Sequence, residues 1–419
     1  MSNSDISMLL SPYSALDLTN ESGFLCGKVL ADLGADVIKV EPPGGDPSRN
    51  NPPYYKGQVH PERSLYWFSY NANKRGITLD ITRTDGKRLF QQLVSTCDFV
   101  IESYLPGHLD DLGLGYVALA KVNPRIIVTS ITPFGQTGPY KDFKASDLIA
   151  MAMGGFMYLS GDPDRAPVRT SPPQSYVHAG SEAAVGTMVA HYHRELSGEG
   201  QHVDVSLQES TVETSMNAHG FWDLNRVYLK RAGTSRMGLS QQAKQRLLWK
   251  CKDGHVAFAL VGGAFGASTN RGLVNWLEEE GVSDDAIRNM DWDGFDMATA
   301  SQEQMDSVIE PLEQLFLEHT KAELYEGARQ RNMMLYPVGT TQDICEDAQL
   351  ASRGFWQEVE HAELNTNIRY PGDFIRMSET PCRAQHRAPL IGEHNREVYG
   401  EKLGLSAEDL VVLKGCGVI

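Results

Sequence analysis

The chain has 419 residues, 41% hydrophobic and 22% charged, which suits roughly two or three domains with buried cores and excludes bulk disorder. Its formal net charge of −16 argues against nucleic acid and anionic membrane surfaces as partners. No apolar run approaches the ~18–20 residues of a membrane span, and the first residues, MSNSDISMLLSPYSALD, lack the basic start and apolar core of a secretory signal.

Cysteines stand at 26, 97, 251, 345, 382 and 416 without a C-x-x-C pair. Reduced thiols in a cytoplasmic protein are therefore expected, with neither a metal site nor a disulfide framework.

In chain order, residues 14–19 read as a short strand and 22–33 as a helix with Leu25, Val29, Leu30 and Leu33 at helical spacing. Gly34 fits the left-handed position after a helix end. Residues 37–41 are β-branched and read as a strand, stopped by Pro42-Pro43-Gly44-Gly45. The rhythm repeats with a strand at 76–80, a helix at 84–95 and a strand at 99–102. Residues 126–131 are almost continuously apolar, as in a strand buried on both faces. A helix at 179–194 and a strand at 202–207 follow, separated by Gly198-Glu199-Gly200. This alternation predicts an α/β fold with a doubly wound parallel sheet.

After residue 225 the composition changes. Residues 226–246 read as a linker, 247–258 as a hairpin around Asp253-Gly254, and the stretch to about 332 as helical. From Val338 strand and turn signals return, and a last helix at 403–413 is expected to be capped by Ser406. No internal repeat or low-complexity tract is present.

Several long motifs occur in order: LADLGADVIKVEPPGGDPSR at 30–49, NKRGITLD at 73–80, ESYLPG at 102–107, PFGQTGPYKDFKASD at 133–147, GQHVDVSL at 200–207 and APLIGEH at 388–394. Together they resemble the class III CoA-transferases, the family of formyl-CoA transferase and α-methylacyl-CoA racemase. The resemblance implies a large Rossmann-like domain, a smaller α/β domain and two chains linked like rings. On that reading 1–225 starts the large domain, 226–335 is linker and small domain, and 336–419 returns to complete the large one.

The family works through an aspartate shortly before an A-G-x-x-A-A-x-G helix. That helix is present as Ala179–Gly186, but Tyr176 occupies the aspartate position. A phenol cannot form the acyl anhydride that a carboxylate nucleophile forms with a thioester. Glu182 is nearby but falls one turn into the expected helix, where the helix dipole or solvent accounts for it. The racemase branch needs a histidine before an acidic residue, and here Ser146 precedes Asp147. His191 and His193, at i and i+2, face different sides of a helix and do not suggest a metal site. His178, close to Tyr176, is a candidate site-lining residue.

The positions that the family uses for CoA are altered too. Asp110-Asp111 stand where a basic residue is usual, Thr82 and Pro42 replace two further basic residues, though Arg83 is adjacent, and Asn20-Glu21-Ser22-Gly23 replaces a glycine-rich first loop. Tyr104 and Lys144 remain at matching positions as vestigial CoA contacts.

The resemblance thus implies a catalytically silent subunit of a heteromeric enzyme, with the CoA thioester bound mainly by an active, aspartate-bearing paralogue. The chemistry implied is CoA movement between succinyl-CoA and a carboxylic acid such as (R)-2-benzylsuccinate, in anaerobic toluene breakdown. Two alternatives stay open: a self-sufficient lyase or isomerase using Tyr176 or His178 as acid or base, and a non-enzymatic CoA-ester binding protein, which the lost basic residues disfavour.

Overall fold

A computed structural model of the chain describes residues 8–215, 218–237, 243–282, 285–297, 299–382 and 386–419. It divides into two compact units. The first comprises residues 1–156, 169–220 and 348–419, and the second 157–168 and 221–347.

The first unit is built on six parallel strands: β1 (Ser14–Leu18), β2 (Asp36–Glu41), β3 (Arg75–Thr78), β4 (Phe99–Glu102), β5 (Ile127–Thr132) and β6 (His202–Ser206). Their order is β3-β2-β1-β4-β5-β6, so the direction of winding reverses between β1 and β4. In such sheets the crevice outside the carboxyl ends of the strands at the reversal is where ligands bind.

The helices in this part of the chain are α1 (Phe24–Asp32), α2 (Leu65–Asn71), α3 (Thr84–Val94), α4 (His108–Asp111), α5 (Tyr116–Val122), α6 (Asp147–Met153), α7 (Gln174–Ser197) and α8 (Leu207–Glu213). Strands β1 to β5 are mostly buried because both sheet faces are covered. On one face Ile38, Ile77, Val100 and Val128 meet Leu89, Phe90 and Leu93 of α3. On the other, Val37, Phe99, Ile101 and Ile127 meet Leu30 of α1 and the alanines of α7. Gly34 follows the end of α1 with φ +102°, the conformation its position called for.

The carboxyl-terminal part returns to this unit. His394 and Asn395 side chains accept the backbone N–H groups of Gly76 and Thr78 at 3.0 and 2.9 Å. The last helix, Ala407–Gly415, is capped by Ser406 in a capping box with Asp409, where the expected helix began four residues earlier. The π-helical turn Arg396–Lys402 before it left no signal in the sequence pattern.

The second unit has its own core around Trp249, Phe258, Trp276, Leu312 and Phe316. The expected hairpin is present as the antiparallel pair Leu248–Cys251 and Gly254–Phe258. Part of the stretch read as a linker forms another hairpin, Ser235–Met237 with Lys244–Arg246. Its strands are too short for a readable period. Relative to the segments 1–225, 226–335 and 336–419, this unit starts at 221, ends at 347 and also takes in 157–168. Among the described residues no helix is long and apolar enough to cross a membrane.

Candidate active site

The helix carrying Tyr176 starts at Gln174, five residues earlier than its apolar pattern indicates. Tyr176 therefore lies in its first turn. Neither α6 nor α7 is capped by the side chain of its own preceding residue, Ser146 or Pro173. Each instead caps the other. The Asp147 N–H donates to the Tyr176 hydroxyl oxygen at 3.0 Å. The Asp147 carboxylate accepts the Ser175 N–H at 3.0 Å and the Ser175 hydroxyl at 2.9 Å through Oδ1. Its Oδ2 accepts Arg169 Nε at 3.0 Å.

This reciprocal stitch supplies acceptors to backbone donors that a helix start leaves unpaired. Sequence reasoning missed Ser175 and Arg169, because contacts of this kind span 22 to 29 positions. Burial pushes the Tyr176 phenol up, and the charges of Glu21 and Asp147 add to the effect. The side chain is a neutral hydrogen-bonding group at neutral pH, unsuited to nucleophilic attack.

The structure separates residues that lie close in sequence. Tyr176 and His178, at i and i+2 of α7, do not share a helix face. The early start of α7 also places Glu182 two turns in, beyond the reach of the dipole argument. Its carboxylate accepts the Ser210 hydroxyl instead. His191 packs edge-on to Tyr13 and bonds Arg194, while His193 bonds Ser197.

The candidate CoA positions follow the carboxyl ends of four strands, Asn20 to Gly23 after β1, Pro42 after β2, Thr82 after β3 and Tyr104 after β4. Asn20 N–H donates to Ser103 Oγ at 2.8 Å, tying the two loops at the winding reversal. Beneath them lies a buried ionic cluster. Lys74 Nζ is 2.8 Å from Asp17 Oδ2 and also donates to the Phe24 carbonyl and Asn71. Lys39 is 3.6 Å from Asp17 Oδ1 and donates to the Thr19 carbonyl. Burial opposes ionisation of Asp17, but Lys74 and Lys39 hold its carboxyl below the usual range.

Asp110 and Asp111 are exposed on α4. Arg83, the remaining cation beside Thr82, is engaged by Asp80 at 3.3 Å. The Tyr104 ring lies tilted by 31° against His108, ring centroids 4.7 Å apart, and burial pushes its phenol up to about 12. Lys144 is exposed on the loop before α6, a loop in which the Phe134, Tyr140 and Phe143 rings pack on one another. Two exposed acidic residues thus occupy the sequence positions at which the resemblance expects a basic residue, a charge that would oppose an anionic ligand.

Two predictions arise from these contacts. Tyr176→Phe removes the acceptor for the Asp147 N–H, so a loss of about 1 kcal/mol is expected in thermal unfolding, with little change in turnover of the complex. A turnover loss of ~10²–10⁴-fold would instead assign Tyr176 an acid–base role. The second concerns Glu102, whose carboxyl burial pushes up to about 7, with the Ser130 hydroxyl and Tyr104 N–H opposing the shift. The native state then holds a proton that the unfolded chain releases near pH 4.5. Stability contributed by the neutral form is lost as pH rises from about 4.5 to 7. Glu102→Gln should flatten that slope and gain on the order of 2–3 kcal/mol at pH 8 relative to the unsubstituted chain, read from denaturant midpoints. An unchanged slope would contradict the burial argument.

Comparison with known proteins gives a consistent pattern. Residues 16–395 match the profile of CoA-transferase family III. The chain is 37% identical over 396 residues to succinyl-CoA:(R)-benzylsuccinate CoA-transferase subunit BbsE of Thauera aromatica, covering 93% of each. It is 30% identical to succinyl-CoA–D-citramalate CoA-transferase of Chloroflexus aurantiacus, covering 95% of this chain and 94% of that one. A crystal structure of a CAIB/BAIF family protein from Brucella suis superposes with a TM-score of 0.80 at 27% identity, over 94% of this chain and 99% of the other.

Proposed function

The chain belongs to CoA-transferase family III, and we propose that within it this chain is the non-catalytic subunit of a heteromeric, cytoplasmic CoA-transferase. The observation that carries the reading is Tyr176. It stands at the nucleophile position, its hydroxyl oxygen is engaged by the Asp147 N–H, and its phenol is neutral at working pH. The transfer chemistry then belongs to a paralogous subunit with aspartate at that position. That aspartate attacks the acyl-CoA carbonyl and expels CoA as its thiolate, leaving an aspartyl–acyl anhydride. The thiolate attacks the aspartyl carbonyl and releases the donor acid. The acceptor carboxylate displaces the thiolate to form a second anhydride, and the thiolate takes the acceptor's acyl group as the new thioester and frees the aspartate.

The likeness to a subunit named for succinyl-CoA and (R)-benzylsuccinate supports succinyl-CoA as donor and an acid such as (R)-2-benzylsuccinate as acceptor. It also supports anaerobic toluene breakdown as the setting. The assembly proposed is two copies of each chain in intertwined pairs. Asp110, Asp111 and the Asp80-bound Arg83 support binding of CoA mainly by the partner. Purifying each chain alone and both together tests the reading: transfer is expected only from the combination. Full transfer by this chain alone would overturn it.

A further inference from the structure

Strands β4, β5 and β6 bring a line of polar side chains onto one face of the sheet. Glu102 and Ser130 are direct partners in the β4–β5 register, and Ser130 and Asp204 in the β5–β6 register. His202, two residues before Asp204, belongs to the same face. Glu102 and Ser130 are buried, while His202 is exposed. Ser130 Oγ lies 2.8 Å from His202 Nε2, and the Ser130 hydroxyl also hydrogen-bonds the Glu102 carboxyl. The His202 ring stacks on Tyr116, with centroids 5.7 Å apart and planes 14° from parallel. Tyr116 is itself anchored through its hydroxyl to the Gly200 carbonyl at 3.1 Å. At the inner end of the line, Glu102 Oε2 accepts the Tyr104 N–H at 2.7 Å.

The order of the groups excludes a nucleophilic serine. In a serine triad the imidazole stands between hydroxyl and carboxylate, whereas here the hydroxyl stands between the other two. That order allows a hydrogen-bonded chain with two directions, because a serine hydroxyl has one proton to donate. With Glu102 neutral, its O–H donates to Ser130, Ser130 donates to His202 Nε2, and the imidazole carries its proton on Nδ1. With Glu102 ionised, Ser130 donates to the carboxylate and His202 donates from Nε2. Passing from the first state to the second moves a proton from Glu102 to Ser130, another from Ser130 to Nε2, and a third from Nδ1 to water. The net change is one proton released to solvent.

We propose that Glu102, Ser130 and His202 form a proton relay, in which the exposed imidazole loads and unloads the buried carboxyl and thereby sets its hold on the loop 103–107. An ionised carboxylate accepts a backbone N–H more strongly than a neutral carboxyl does, so release of the proton tightens the bond to Tyr104. The same loop carries Ser103, whose Oγ accepts the Asn20 N–H, and both loops at the winding reversal are therefore held through it. The charged groups acting on the relay are acidic. Asp110 of α4 and Asp204 of β6 act on Glu102 and on His202, and Asp46 acts on Tyr104. His108 is in ring contact with Tyr104. Burial, with Asp110 and Asp204 adding to it, pushes the Glu102 carboxyl up to about 7. Burial lowers His202, so its imidazole is neutral and able to accept when Glu102 changes state.

The test is nitrogen-15 NMR of the full chain labelled at histidine, followed from about pH 5.5 to 8.5, with His202 assigned by the signal lost in His202→Gln. The imidazole is expected to change from the Nδ1–H to the Nε2–H tautomer near the pH at which Glu102 ionises. Glu102→Gln should hold it as Nδ1–H throughout, because the Gln oxygen takes the Tyr104 N–H and leaves its NH2 to donate to Ser130. Ser130→Ala should abolish the change. A tautomer that does not change with pH, or that changes equally in Glu102→Gln, overturns the relay. If Ser130→Ala does not fold, Glu102→Gln, which keeps the side-chain shape, decides alone. Hydrogen exchange reads the other end. Protection of the Tyr104 amide, corrected for the intrinsic effect of pH, is expected to rise several-fold between about pH 6 and 8 and to stay flat in Glu102→Gln. Flat protection in both overturns the coupling to the loop.

Discussion

Replacing the nucleophilic aspartate of the partner subunit by alanine should abolish transfer by the complex, by at least on the order of 10⁴-fold, while Tyr176→Asp in this chain should restore none of it. The first loss follows from removing the group that forms the anhydride. The failed rescue follows from the surroundings of Tyr176. A new carboxylate there would stand beside Asp147 and within the field of Glu21, the two anions already felt by the phenol. On the proposed reading it would also face no positioned thioester, because Asp111, Thr82 and Pro42 stand where the resemblance expects phosphate-facing groups. Positioning contributes on the order of 7–11 kcal/mol to such reactions, and it requires bound substrate. Calorimetry is expected to find one CoA site per pair of unlike chains. Two equal sites, or turnover by the Tyr176→Asp chain alone, would contradict this picture.

Asp17→Ala should be among the most destabilising single changes in the chain. Asp17 is fully buried and is the counter-charge to Lys74 and, at longer range, to Lys39. It also accepts the Thr19 N–H and hydroxyl at 2.9 and 2.6 Å, which shapes the first loop. Removing one member of a buried ionic group leaves the others uncompensated, at a cost of roughly 3–5 kcal/mol. That is a large share of the ~5–15 kcal/mol typical of a folded protein. Gly27 offers a second handle. A Cβ there would lie 2.3 Å from Asp17 Oδ2, so Gly27→Ala should push the carboxylate off Lys74 and destabilise in the same direction. Denaturant midpoints measure both. A loss under about 1 kcal/mol for Asp17→Ala would mean that the lysines find other partners, such as Asp46, 4.0 Å from Lys39.

The sheet was legible in the sequence because its strands are covered on both faces. Residues 37–41 read as a β-branched strand, 99–102 as a short strand and 126–131 as an apolar run, and all belong to the parallel sheet within a residue or two. Motif order alone led to the reading that Tyr176 stands at the nucleophile position. Its role was not legible that way. The first turn of α7 is Gln174-Ser175-Tyr176 after two prolines, with no apolar period to announce a helix. The stitch to Asp147 and Arg169 depends on bringing two helix starts together, which local pattern does not encode. The passage of 157–168 into the second unit is likewise a matter of tertiary contact. Leu148, Ile149, Val185 and Val189 are apolar in the sequence, but only the fold distinguishes an exposed apolar residue from a core one.

The proposed silence of this chain is tested most directly by trapping the acyl-enzyme. The assembled complex is incubated with succinyl-CoA, treated with hydroxylamine or borohydride, and each chain is weighed by mass spectrometry. The mass change of a trapped anhydride is expected on the aspartate-bearing subunit alone, with this chain at its unmodified mass. Stoichiometric modification of this chain, at Tyr176 or any other residue, would contradict its assignment as the non-catalytic subunit.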